Sequence, residues 1–220
     1  MNLEMHKKGK IFKKILVLPD LHAPFTRLDY LKEAAQWAKK HKPDLVVQVG
    51  DIMDQKAWSR YPKDPDDMSP YAEFEVAMEQ MESIHKMFPN MELLLGNHDM
   101  RVMHKAMEVG LTKHMVRELD EIFPYKGWNW HLRARDRLVV NTATGPVLFI
   151  HGDELGGTPA AKSRRLGMNI CQGHTHQASI TYTQNEIVGK PIWSFEVGNM
   201  MDIESKGARY AAKNPVGTMG

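Results

Sequence analysis

The stretch LLLGNHDMR, residues 93–101, runs from an apolar segment through a glycine into Asn97, His98 and Asp99. A short aliphatic run closed by glycine marks a buried strand. Strands of an open α/β sheet end at a rim where ligands collect. Donors placed there are candidates for chemistry, provided that other strands deliver partners to the same rim.

Other strand-like runs do so. IFKKILVL at 11–18 is expected as a strand leading to Asp20-Leu21-His22, and DLVVQVG at 44–50 leads to Asp51. A later run ends in His151-Gly152-Asp153, and another in Gly173-His174-Thr175-His176. Leu28, Leu31, Ala35 and Ala38 recur at helical spacing over 27–40, with Thr26 as the expected cap. After the proline-broken stretch AWSRYPKDPDDMSP, Ser69-Pro70 opens a helix toward Phe88, with proline at a tolerated first position. This alternation of strand and helix implies parallel strands in α/β layers. Residues 99–122 are expected to be mainly helical. From 138 the pattern turns to strands in RLVVNTATGPVLFIHG, GMNICQGHTH, ASITYTQ and PIWSFEV, interrupted by one helix opened by Thr158-Pro159. The expected fold class is α/β, two packed mixed β-sheets flanked by helices. One domain spans 1–220, with 101–137 as a candidate cap or substrate segment.

Bulk properties narrow the function classes. A chain of 220 residues can bury a full core, and its net charge of +2 provides no global field toward nucleic acid or membrane. Cys171 is the only cysteine, which excludes an internal disulfide and a thiolate metal cluster. It suggests a reducing compartment. The opening MNLEMHKKGK lacks the apolar run of a signal peptide, and no stretch approaches the ~20 apolar residues of a membrane span. The expectation is a soluble, cytoplasmic protein without a membrane partner. The oligomeric state is not legible.

Asp20, His22, Asp51, Asn97, His151, His174 and His176 are the candidate metal ligands. Carboxylate, amide and imidazole donors suit Mn²⁺, Fe, Zn²⁺ or Mg²⁺. Seven donors exceed one open site and suit two ions sharing a bridging carboxylate. Two such ions, about 3.5–4 Å apart, can clamp an in-line displacement at phosphorus.

In this order, DLH, GDIMD, GNHD, HGDE and GHTH, spanning residues 20–176, resemble the motifs of the calcineurin-like metallophosphoesterase superfamily. The resemblance implies a four-layer αββα sandwich and two divalent ions, with Mn²⁺ the leading expectation. It assigns Asp20, His22 and His176 to one ion and Asn97, His151 and His174 to the other, with Asp51 between them. It further implies that a hydroxide held between the ions attacks phosphorus. His98 is then a catalytic residue rather than a ligand, protonating the leaving oxygen, and Asp99 is expected to orient it. Asp54 is expected to be structural, supporting Asp51.

The substrate that the resemblance implies is a phosphate ester. Serine/threonine phosphatases of this superfamily carry arginines where this chain has Gln55 and Leu95, which disfavours a phosphoprotein. In WNWHLRARDR, 128–137, an extended ribbon would place His131, Arg133, Arg135 and Arg137 on one face. Arg101, Arg133 and Arg135 are therefore the candidate substrate-binding residues. Nucleotides or DNA fit such a ribbon best, as in relatives resembling nucleotidases or repair exonucleases. The alternatives are a small-molecule phosphomonoesterase and, with the motif set complete, less readily a non-catalytic scaffold.

Overall fold

The computed structural model describes residues 4–5, 9–132, 137–185, 189–202 and 204–205. The chain runs through β1 (Glu4–Met5), β2 (Ile15–Leu18), α1 (Leu28–His41), β3 (Leu45–Gln48), α2 (Pro70–Met87) and β4 (Met91–Leu94). It continues through α3 (Arg101–Glu108), α4 (Leu119–Ile122), β5 (Trp128–His131), β6 (Leu138–Thr142) and β7 (Gly145–Ile150). The remaining elements are α5 (Pro159–Leu166), β8 (Asn169–Gln172), β9 (Ala178–Asn185) and β10 (Lys190–Val197).

Two sheets form. One has four strands in the order β2-β3-β4-β5, every neighbouring pair parallel. The other has six, in the order β1-β6-β7-β8-β10-β9, and is mixed. Period-two alternation divides each strand between two cores. In the first sheet, Ile15, Val17, Leu45, Val47 and Leu94 face the second sheet, where they meet Val140, Val147, Phe149 and Cys171. The alternate residues Leu16, Leu18, Val46 and Leu93 turn outward against Leu31 of α1 and Ala77, Met81 and Ile84 of α2. On the far side of the second sheet, Val139, Leu148, Ile150 and Ile170 pack with Leu166 at the end of α5. The result is the expected order of layers: helix, sheet, sheet, helix.

Local chemistry explains most element boundaries. Ser69 Oγ accepts from Ala72 N and Thr158 Oγ1 from Ala161 N, so both Pro-led helices carry side-chain caps. Thr26 does not cap α1. Arg27 occupies that position without a side-chain cap, while the buried Thr26 hydroxyl donates to Leu21 O at 2.9 Å and braces the loop after β2. The segment 99–122 is less helical than its composition suggests. Gly110, at φ +85°, closes α3, and only a 3-10 turn at Lys113–Met115 and the four residues of α4 follow.

Of the ribbon expected over 128–137, residues 128–132 and 137 are described. β5 ends at His131. Trp128 and Trp130 join the core under α2, and Trp128 Nε1 donates to Phe88 O at 2.8 Å. On the opposite face His131 is buried, with Nε2 2.9 Å from Glu92 Oε2, and Arg137 is buried as well. Neither is an exposed cation available to phosphates; β5 turns the His131 face toward the second sheet, and Arg137 lies beyond that strand. Arg133 and Arg135 lie outside the described residues.

Candidate metal centre and catalytic cleft

The strand ends converge as the first sheet's topology requires, since parallel strands present their carboxyl ends on one edge. Asp20 and His22 follow β2, Asp51 follows β3, and Asn97 and His98 follow β4. From the second sheet, His151 follows β7, and His174 and His176 follow β8. His22, Asp51, His174 and His176 have φ of 54°, 53°, 73° and 59°. Left-handed backbone costs a non-glycine residue about 1–2 kcal/mol, and a cluster of such residues is a mark of a functional site.

Asp20, His22 and His176 offer ligand atoms all within 4.8 Å of one another, as do Asp51, His151 and His174. His22, Asp51 and His98 form a third such group between them. Asn97 Oδ1 lies 3.1 Å from His151 Nε2. The packing around the carboxylates leaves no slack. A Cβ at Gly173 would stand 2.0 Å from Asp20 Oδ1, and one at Gly96 would stand 2.1 Å from Asp51 Oδ1.

The tautomers show which lone pairs point inward. His151 Nδ1 donates to Val49 O at 3.0 Å, so its Nε2 carries a bare lone pair in the neutral ring. That nitrogen faces Asn97 Oδ1, Asp51 Oδ2 at 3.3 Å and His174 Nδ1 at 3.3 Å. His22 Nδ1 meets Asp54 Oδ1 at 2.8 Å, leaving Nε2 3.0 Å from His176 Nε2. Among the described residues Asp20 Oδ1 is buried with no hydrogen-bond partner. Acceptors turned toward one another at these distances require positive charge among them. These residues therefore fit divalent cations held by nitrogen and oxygen donors.

The protonation pattern carries the same demand. Burial is the largest influence on Asp20 and lifts its carboxyl to about 7. Burial also pushes Asp51 upward, but His151, His98 and His22 outweigh it and hold the carboxyl well below its ordinary range. Against the effect of burial, Asp51 and then Asp20 lift His151 to about 10. Burial, reinforced by His22, drops His176 to about 3. Protons thus occupy places where a cation would satisfy the same acceptors.

His98 is held differently from expectation. Its Nδ1 lies 2.9 Å from Asp54 Oδ1 and 3.0 Å from Asp54 O, so Nδ1 carries the proton and Nε2 faces the cleft. Despite burial, Asp51 and Asp54 raise its pKa above the ordinary histidine value. Asp99 does not touch the ring. Its carboxylate accepts from the backbone amides of Asp51 at 2.7 Å, Gly96 at 2.8 Å and Met53 at 3.0 Å. Asp99 follows His98 directly, and its side chain turns back beneath the loop rather than along the imidazole. Asp54, expected only to support Asp51, instead bonds both His22 and His98 through one oxygen.

Arg101 opens α3 and lies in the site. Its Nη1 donates to Asp54 O at 2.8 Å and its Nη2 is 3.0 Å from His98 Nε2. The cleft above has a volume of about 570 Å³, with Asn97, His98 and His174 among its lining residues. Its walls include Trp58, Arg60, Tyr61, His104 and Lys105. Trp58, Arg60 and Tyr61 come from a stretch with no periodicity and no motif, so nothing in the sequence pointed to them. Asn199 was also missed. It pairs with Asp20 through an isolated parallel bridge, and its side chain donates to His176 O at 3.3 Å.

A four-layer sandwich with a histidine–carboxylate cluster at the carboxyl ends of its strands has the architecture of a metallophosphoesterase. The family model described as calcineurin-like phosphoesterase matches residues 13–165, and the chain belongs to that family. Gene 54 protein of Mycobacterium phage L5 is 25% identical over 214 residues, covering 87% of this chain and 81% of that protein. Gene 54 protein of Mycobacterium phage D29 is 25% identical over 219 residues, with the same coverage of 87% and 81%. Vacuolar protein sorting 29 from Cryptosporidium parvum aligns with a TM-score of 0.46 at 16% identity, over 86% of this chain and 76% of that one. Yfce, a phosphoesterase from E. coli, aligns at 0.43 and 14% identity, over 88% and 83%.

Proposed function

We propose that this chain is a binuclear-metal-dependent phosphoesterase that hydrolyses nucleotides or nucleic acid. The observation that carries the reading is the position of Asp51, grouped with His22 on one side and with His151 and His174 on the other. A carboxylate so placed suits the shared ligand of a pair. Asp20, His22 and His176 would hold one ion, and Asn97, His151 and His174 the other. When bound, Mn²⁺ or a similar ion pair supplies Lewis acidity and a nucleophilic oxygen at neutral pH.

The chain's own groups complete the chemistry. His98, fixed through Nδ1 by Asp54, presents Nε2 to the cleft and delivers a proton to the departing alkoxide. Arg101 rests against that nitrogen and is placed to take a non-bridging phosphoryl oxygen. Moving onto substrate, the guanidinium frees Nε2 to carry its proton. The cleft walls favour a nucleotide, since Trp58 and Tyr61 offer faces for a base and Arg60 and Arg101 offer charge for its phosphates, while Lys105 is paired with Glu108. Of the expected 101–137 segment, α3 supplies one wall of the cleft through Arg101, His104 and Lys105. Among the described residues no helix is long and apolar enough to cross a membrane.

The test is a panel of bis-p-nitrophenyl phosphate, mononucleotides, cyclic nucleotides, and single- and double-stranded DNA, with Mn²⁺ and with chelator. Turnover that chelation abolishes, fastest on a nucleotide-containing substrate, is expected. No turnover with any divalent metal would leave a scaffold. Turnover confined to simple monoesters would remove the nucleotide assignment.

A further inference from the structure

Lys162 is the chain's conspicuous buried cation. It sits one turn into α5 with 1% of its surface exposed. Burying an ammonium costs several kcal/mol, so a lysine so deep needs good bonds. It has two. Nζ donates to Gly152 O at 2.5 Å and to Gln172 Oε1 at 3.0 Å. Gly152 follows His151 directly, and Gln172 is followed by Gly173-His174. One amine therefore ties together the two strand ends that carry His151 and His174.

The two strand ends are also in direct contact. Gly173 N donates to His151 O at 2.9 Å. A Cβ at Gly152 would meet Gln172 Nε2 at 3.0 Å and both Gly173 O and His174 Cβ at 3.1 Å. Contacts this tight carry a shift of one loop to the other. Asp20, His22 and His176 are braced by other means. His174 N and Asn199 serve Asp20 and His176, and Asp54 serves His22. Lys162 thus bonds directly to the loops of His151 and His174 and reaches Asp20 at one remove, through the His174 amide.

We infer that Lys162 is a positioning residue that sets the spacing of His151 and His174 and so the affinity of the ion they share with Asn97. This rests on the two-ion reading above. The experiment is Mn²⁺ titration by calorimetry, with low-temperature electron paramagnetic resonance, on the full wild-type chain and on Lys162→Met. Wild type is expected to take two ions and to show the spectrum of an exchange-coupled pair. Lys162→Met is expected to keep one ion at wild-type affinity, weaken the other about 10–100-fold, and show an isolated-ion spectrum at stoichiometric metal. A cooperative thermal melt checks that the variant is folded.

If Lys162→Met does not fold, Gln172→Leu tests the same link, because it leaves the Gly152 bond in place. It is expected to weaken the same single ion. Two ions at wild-type affinity in the folded variant, or equal weakening of both, would overturn the inference. A wild-type chain that binds fewer than two ions would instead end the two-ion reading, and this inference with it.

Discussion

The Asp54 carboxylate lies 2.9 Å from His98 Nδ1, on the same oxygen that lies 2.8 Å from His22 Nδ1. A single carboxylate therefore sets the tautomer of a proposed ligand and of the proposed acid. Asp54 is fully buried, and His22 and His98 hold it below the carboxylate range despite that burial. It is ionised at every pH at which the protein would work, which keeps both Nε2 atoms pointing to the site.

Asp54→Asn preserves shape and removes charge. The amide can accept at one atom, but it no longer stabilises a protonated His98. Turnover of bis-p-nitrophenyl phosphate with saturating Mn²⁺ is expected to fall about 10–100-fold while the melting curve stays close to wild type. Wild-type turnover in the variant would show that the contact is not needed for catalysis.

Asp99 makes a contrasting prediction, because it serves the backbone. Asp99→Ala strands three buried amide donors, those of Asp51, Met53 and Gly96. An unsatisfied buried donor costs about 1–3 kcal/mol. Urea unfolding of the metal-free variant is expected to lose roughly 3 kcal/mol or more. A loss under about 1 kcal/mol would mean that water replaces the carboxylate at no cost.

The difference between these two aspartates shows what the sequence could convey. The apolar run closed by glycine was enough to place β4, and Ser69 and Thr158 announced their helices. The motifs marked the loops that meet at the rim. What adjacency in sequence did not convey was the direction of a side chain. Asp99 is next to His98 but turns away, while Asp54, 44 residues distant, reaches the ring. The cleft walls at Trp58, Arg60 and Tyr61 were illegible for a related reason. Their stretch has no period, and its position is set by Glu73, whose carboxylate accepts from Lys56 N at 2.6 Å and Ala57 N at 2.7 Å. At 128–131 alternation reported two faces of β5 but not that the face with His131 is covered, while Arg133 and Arg135 lie outside the described residues.

Gly173 tests the centre by steric exclusion alone, since its backbone is not left-handed. A methyl there would stand 2.0 Å from Asp20 Oδ1 and 3.0 Å from Val49 Cγ2. At 2.0 Å the carboxylate, rather than the valine methyl, is the group that must shift. Gly173→Ala is expected to fold, to lose Mn²⁺ at the Asp20 half of the centre, and to lose at least about 100-fold in turnover, beyond what one outer contact typically costs. Metal content and rate measured on one preparation check both. A variant with full metal content and full rate would place Asp20 outside the centre.

Trp58 bears on substrate choice. It lines the cleft beside His98 and also a mainly apolar cavity of about 360 Å³ with Met53, Tyr71 and Phe74, so its indole stands between the two. Its surface is 40% exposed, more than anchoring the loop would require. Stacking of a base on an aromatic ring is worth about 1–3 kcal/mol, or roughly 5–150-fold in binding. Trp58→Ala is therefore expected to raise KM for a nucleotide ester by a factor in that range, with kcat little changed. Glycerol phosphate, which has no ring to stack, should show an unchanged KM. Equal increases for both substrates would point to a displaced 56–61 loop, and no increase for the nucleotide would mean that the base does not rest on Trp58.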